Sequence, residues 1–418
     1  MKRPSSGEVP PLKRITNNES ERSLTVEQNF GYEGVSRNQS STQSIRPFPI
    51  MPISRFSQKF PFFRQPTEVG HFSLDSKRHV HCDARLLKVY CPPADPRRTN
   101  FDLRKGYRDF IKRDDDVKER LNNITKWMTE NKSLITAPPS TEGCESKSKA
   151  HESTSSKCER INADFVMWRG HMTKFLCTPY ENREGWAMAV TLFRGTYYIS
   201  EVETEENRAR RKGMSDHEQE MSYWGYKFEQ YVTSDNERSR PDTTRPVDSH
   251  EAFCSVIRTR LESHSLLYSG EVDCRIPYSK KKPPENYMEL KTTRIWYKQN
   301  NERNFYRFKL LKVWAQSFLV GIPEVIFGFR DDEGVVSYLR SFQTMQMTNS
   351  SQGMWDGAVC FNFANQLLLY IKEIVTIDDP KVVYMLERAP GSSEVTCKLH
   401  AEGDEQFLSK EYIDSFNS

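Results

Sequence analysis

Two short stretches decide the reading of this chain: Ser269-Gly270-Glu271-Val272-Asp273-Cys274 and, sixteen residues after Asp273, Glu289-Leu290-Lys291-Thr292. Each sets two polar side chains at i and i+2. On a β-strand those point to one face, while Val272 or Leu290 points to the other, toward a core. Leu266, Leu267 and Met288 flank them, so both stretches read as strands, Leu266–Asp273 and Tyr287–Thr292. As neighbouring strands they would gather Glu271, Asp273, Glu289 and Lys291 on one patch. Three carboxylates supply hard oxygen for a divalent cation, and the amine beside them can orient a water or steady a phosphate. Either pattern alone is equally that of a solvated strand face. The short turn between them, with Lys280 to Lys282 and two prolines, is what makes the pair informative.

Working outward, strands are expected at Trp186–Phe193 and Thr196–Val202, joined by the Arg194-Gly195 turn, with Ala163 to Thr178 also strand-rich. Helical spacing marks Asp115 to Asn131, Asp216 to Val232, Ser249 to Leu261, Glu302 to Val320 and Ala358 to Val375. Further strands are expected at Glu324–Arg330 and Val335–Arg340, and two more close the chain. Strands and helices mix without strict βαβ alternation, which gives an α+β class with a central mixed sheet flanked by helices.

The chain has 418 residues, 36% of them hydrophobic, and a formal net charge of +4. That is enough length for a large core, and a basicity that permits a polyanionic ligand without requiring one. Residues 1–56 are rich in Ser, Asn and Pro and read as a disordered tail; Lys2-Arg3 and Lys13-Arg14 resemble a nuclear import signal or a merely solvated basic tail. Residues 57–418 then form one catalytic domain, with 137–157 a low-complexity insert loop. Apolar runs such as Leu367 to Ile371 are too short for a membrane span. Nine scattered cysteines read as reduced thiols of a nucleus or cytoplasm, and the spacing of His79, His81, Cys82 and Cys91 fits no common zinc site.

Glu229 borders the apolar stripe of its helix, where an ionised carboxylate is costly unless a cation compensates it. Two Mg²⁺ or Mn²⁺ ions held by Glu229, Asp273, Glu289 and the Leu290 carbonyl would activate water for attack on a phosphate, with Lys291 steadying the developing charge. Lys309, Lys312 and Gln316 line one side of their helix and could meet phosphates, or could be a solvated face. Arg169, in a Trp168-Arg169-Gly170 turn, could fork onto a phosphate, with Gly170 permitting close approach.

These residues, with Phe72-Ser73-Leu74-Asp75, Asp83-Ala84-Arg85, Asn100-Phe101-Asp102-Leu103-Arg104, Trp168-Arg169-Gly170-His171, Ser200-Glu201-Val202-Glu203-Thr204, Gly225-Tyr226-Lys227-Phe228-Glu229-Gln230-Tyr231 and Trp314-Ala315-Gln316-Ser317-Phe318-Leu319, resemble the decapping exoribonuclease (DXO/Rai-one-like) family from about residue 60 onward. The resemblance implies two β-sheets and flanking helices around a deep pocket, with a PD-(D/E)xK-type metal site. It implies hydrolysis at single-stranded RNA 5′ ends that removes incomplete guanosine caps, triphosphates or NAD-type caps, with 5′→3′ trimming. It also implies metal ligation by Glu229, Asp273, Glu289 and Leu290, with Glu271 close by. Lys291 and Gln316 would lie at the scissile phosphate, Trp168, Arg169 and Gly170 on RNA, and Arg78, Glu119 and Cys254 in the substrate pocket. Some relatives dock on a nuclear 5′→3′ exoribonuclease, so a non-catalytic stabiliser of such a partner is the alternative. Duplex DNA is disfavoured, because no basic helix or zinc module is evident.

Overall fold

The computed structural model describes residues 45–136, 160–400 and 405–416. The expected import signal and insert loop lie outside them. Among the described residues two mixed sheets organise the fold. The larger has ten strands, in the order Phe48–Pro49, Glu394–His400, Val383–Arg388, Trp186–Phe193, Thr196–Val202, Phe165–Trp168, His264–Glu271, Ala252–Leu261, Thr67–Leu74 and Val80–His81. The smaller has seven, in the order Phe101–Asp102, Val335–Gln343, Glu324–Arg330, Tyr287–Arg294, Cys274–Arg275, Val89–Tyr90 and Thr233–Ser234.

Side-chain alternation assigns the layers. Along Glu324–Arg330, Val325, Phe327 and Phe329 join the main core, whereas Ile326 joins a separate cluster with Trp224, Phe228, Met288 and Leu290. The main core also takes in Met172, Phe175 and Leu176, then Leu310, Leu311, Trp314 and Leu319, and Phe361, Phe363 and Leu367. Three helices, Arg169–Cys177, Leu310–Val320 and Gly357–Ile374, therefore pack into that core. On the far face of the large sheet, Phe72, Val166, Val256 and Leu267 meet Ile124, Trp127 and Tyr412. The helix Asp216–Val232 covers the small sheet, opened by a capping box in which Ser215 and Glu218 satisfy each other's backbone amides. Phe228 presses against Gly328, where any Cβ would stand 2.6 Å from the ring. That contact fixes the height of Glu229, one residue on.

Four expectations need correction. Ser249–Leu261 is not a helix: Ala252–Leu261 is a strand paired on both sides, by His264–Glu271 and Thr67–Leu74. It is buried on both faces, so its apolar run carries no two-residue period, and only Val256, Ile257 and Thr259 signal its type. Ala163–Thr178 is a short strand, Phe165–Trp168, followed at once by a helix, so Arg169 and Gly170 open a helix rather than form a turn. The helix expected from Asp115 begins only at Asn122; Asp114 accepts from the Asp116 amide in a local turn, and Val117 is exposed. The boundary drawn at residue 56 falls inside ordered chain. Phe48–Pro49 pairs with Val395 and Glu394, and Phe48, Ile50 and Phe56 are buried, because these apolar residues complete the main core. The long helix stands, interrupted by a π-helical stretch at Phe305–Lys309.

Candidate active site

The two stretches that opened the reading are not simple neighbours. His264–Glu271 is a strand of the large sheet, and Cys274–Arg275 pairs with Met288 and Tyr287 in the small one. The chain crosses from sheet to sheet between Glu271 and Cys274, and Asp273 sits in the crossing. Val272 is buried and its amide still bonds the Phe253 carbonyl, which pins the crossing point. The carboxylates thus gather at a seam between two sheets rather than on one face of a single sheet.

At the seam the Lys291 ammonium lies 2.5 Å from Glu289 Oε1 and 3.6 Å from Asp273 Oδ2. The Leu290 amide donates to Asp273 Oδ2 at 2.6 Å. Glu289 is 2% exposed, and its second oxygen, Oε2, has no partner among the described residues. Glu229 reaches the same charges from its helix: burial, then Asp273, Glu271 and Glu289, lift its carboxyl well above the usual range, with Lys291 opposing. Burial and Glu289 push Asp273 up to about 7. Burial likewise raises Glu271, against Lys291 and Arg169. Glu289 alone falls, because Lys291 and Arg169 outweigh its burial. Lys291 is driven the other way: burial would lower it, but Asp273 and Glu289 hold it charged.

Arg169 is buried beside the seam. Its Nη2 donates to the Glu271 carbonyl at 3.3 Å, and Nη1 has no partner among the described residues. Gly270 lets it lie close, since a Cβ there would stand 3.1 Å from the Arg169 side chain. A cavity of about 450 Å³ opens above, lined by Arg78, Glu119, Trp168, Arg169, Gly170, Cys254, Glu271 and Gln316. Arg78 forks onto Glu119 at 2.7 and 2.5 Å, and Cys254 stands opposite Glu271 across two paired strands. A second cavity, of about 220 Å³, is lined by Glu229 and shares Tyr226, Ala252 and Glu271 with the first. Glu271 is exposed at the end of its strand, where its side chain borders the open space of both cavities.

A family profile described as RAI1 like PD-(D/E)XK nuclease matches residues 64–413. The Decapping and exoribonuclease protein of Xenopus laevis is 43% identical, over 87% of this chain and 89% of its own length. The chain belongs to this family. In the same fold, the structure titled Candida albicans Rai1 in complex with pU5-Mn²⁺ aligns with a TM-score of 0.74 and 22% identity, over 89% of this chain and 99% of that one. The Scheffersomyces stipitis Rai1 structure titled as a complex with (3'-NADP)⁺ and calcium ion gives 0.72 and 23%, over 86% and 98%.

The family's PD-(D/E)XK name fits what the seam holds. Four carboxylates face one ammonium and one guanidinium, and a buried carboxylate oxygen is unpartnered. That donor set is hard, anionic and short of positive charge, which suits divalent metal ions. Among the described residues no three His, Cys, Asp or Glu side chains form a ready-made cage, and Lys291 stands between Asp273 and Glu289. The zinc reading is set aside by geometry, since His79 and His81 both bond Asp75.

The Lys309, Lys312 and Gln316 face divides. Lys309 bonds the Thr292 carbonyl; burial, Arg330 and Lys291 push it down to about 8. Lys312 is held by Glu181 at 3.2 Å and Glu184 at 2.9 Å, so it is not a free phosphate ligand. Gln316 alone lines the main cavity. Sequence reasoning missed Tyr226, which borders both cavities one turn before Glu229; the i, i+3 spacing was the available signal. It also missed Arg113, just before the loop taken for helix, and Lys118 and Arg120 within it, all three of which line the cavity.

Proposed function

We propose that this chain is a metal-dependent hydrolase of RNA 5′ ends. It removes incomplete guanosine caps, triphosphates or NAD-type caps and trims the exposed strand 5′→3′. The observation that carries the proposal is the charge imbalance at the seam, in a chain that belongs to the RAI1-like nucleases. The printed names of the relatives, a decapping and exoribonuclease protein and structures holding a 5′-phosphorylated oligouridylate with manganese or a 3′-phosphorylated NAD-type dinucleotide, support the substrate class. A purely stabilising role would leave the buried acids as an uncompensated cost.

Glu229, Asp273, Glu289 and the Leu290 carbonyl are the groups to hold two Mg²⁺ or Mn²⁺ ions, with Glu271 beside them. Such ions supply Lewis acidity and a water of lowered pKa. The chain supplies the rest. Lys291, kept charged by its acidic neighbours, donates to phosphate oxygens rather than accepting a proton. Arg169 offers its unpartnered Nη1 to a phosphate, and Gly170 opens the approach. The amide of Gln316 faces the same cavity. Arg78 and Glu119, locked together, wall the space for the 5′ group, with Trp168 and Cys254. A buried seam of this kind takes a single strand threaded end first.

One RNA body carrying a guanosine cap, a triphosphate, an NAD cap or a monophosphate, incubated with Mg²⁺ and with Mn²⁺, tests this. Release of the 5′ group followed by shortened bodies is expected. No cleavage of any 5′-modified RNA with either ion would overturn the reading. For location we infer the nucleus, supported by Lys2-Arg3 and Lys13-Arg14. Alanine at all four should move a fluorescent fusion out of the nucleus, and unchanged nuclear accumulation would contradict it.

A further inference from the structure

A third cavity, of about 270 Å³, lies next to the helix Glu205–Lys212, whose Asn207 and Arg210 line it. It adjoins the main cavity along Gly170 and Gln316, which line both. At Gly170 a Cβ would meet nothing within 4 Å, so that border is open. Lys174, Arg210, Lys312 and Arg388 share the lining with only two acids, Glu181 and Glu184. Three of the four bases are engaged: Lys312 with both acids, Arg210 with Glu184 at 3.3 Å, and Lys174 with Glu201 on the main-cavity side.

Arg388 differs. It is 3% exposed, donates Nη1 to the Glu184 backbone carbonyl at 2.8 Å, and leaves Nε without a partner among the described residues. The Glu181 carboxylate is close enough to act on this guanidinium, but no carboxylate bonds it among the described residues, and a buried N–H left without an acceptor is costly. The guanidinium fork matches phosphate oxygens, and the volume is near the lower end of ligand-sized cavities, about 300 Å³. We propose that this cavity receives a backbone phosphate of the RNA strand on the 3′ side of the scissile bond, the strand leaving the seam past Gly170 and Gln316. Resting on the proposed function, it gives the track of the RNA body: 5′ group and scissile phosphate in the main cavity, a downstream phosphate beneath the Glu205–Lys212 helix.

The test uses the full chain and 5′-phosphorylated oligouridylates from a dinucleotide upward, bound with Ca²⁺ and no hydrolysis. Wild-type affinity should climb with length and then level off. Arg210→Glu, on the exposed rim, should lower the long-strand affinity by about tenfold, as expected for a lost charge-assisted bond. It should also reduce the salt slope by about one and leave the dinucleotide unchanged. Arg388→Lys, checked for an unaltered melting transition, should show the same length-selective loss. A loss equal at every length, or none at any length, would overturn the proposal. Uridine monophosphate that erases only the long-strand increment would place released nucleotide there instead of chain, and would also overturn it. Dinucleotide cleavage with Mn²⁺ is measured in parallel: its absence in the wild type counts against the proposed function, whereas normal cleavage without length selectivity counts against this site alone.

Discussion

The carboxylates at the seam and those at the rim of the same cavity behave in opposite ways. At the rim each acid has its base. Burial would raise Glu119, but the Arg78 fork and Arg113 hold it low. Just outside the rim, Glu203 takes Arg211 at 2.9 Å and the rim's Lys118 at 3.0 Å, and these hold its carboxyl at about 2. At the seam, Glu229, Glu271, Asp273 and Glu289 share Lys291 and Arg169, and three of the four rise. Acids close together are therefore not by themselves a sign of a site. The sign is a shortage of positive charge that the fold leaves unfilled.

Substitutions should separate the two regions. The largest effect is expected from Asp273→Ala with Glu289→Ala: cleavage of 5′-modified RNA should fall by at least about 10³-fold, the scale of lost transition-state charge stabilisation. The fold should persist, read from circular dichroism; full activity in that variant would break the metal assignment. Lys291→Met should be next, removing the cation beside Asp273 and Glu289 and costing the metal-free protein about 3 kcal/mol in denaturant melts at pH 7. Gly328→Val should cost about 2 kcal/mol by overpacking against Phe228. It should also weaken Mn²⁺ binding, because the displaced helix carries Glu229 with it.

The smallest effect belongs just outside the rim and is a pH effect. The folded-state pKa of Glu203 lies below its unfolded value, so its contribution to stability is complete above about pH 4.5 and drains away as pH falls toward 2. Glu203→Gln should trail the wild type above pH 4.5 and converge with it near pH 2. Parallel melting curves across that range would contradict the pairing.

Much of this was legible beforehand, for reasons that can be named. Asp216–Val232 and Glu324–Arg330 match their expected bounds, because a capped amphipathic helix and a compact apolar strand carry strong local signals. Glu271, Asp273, Glu289 and Lys291 were brought together correctly, but on the wrong geometry. Two-residue alternation suggested one continuous strand face, whereas the strand ends at Glu271 and the chain changes sheets. Ala252–Leu261 escaped because burial on both faces removes the period. The loop carrying Lys118 and Glu119 was taken for helix because Leu121, Ile124 and Trp127 continue a helical spacing that Val117 only mimics. Arg388 gave no local signal, since its burial depends on Glu184, 204 residues away.

The most direct test of the charge-shortage account is the melting temperature of the wild type and of Asp273→Asn with Glu289→Gln, each titrated with Mn²⁺ at pH 7. The account predicts that the wild type rises with Mn²⁺ in a saturable way, as binding to the folded state requires. It predicts that the variant, relieved of buried negative charge, starts no lower and does not respond. A variant that gains as much from Mn²⁺ as the wild type, or a wild type that gains nothing, would contradict it.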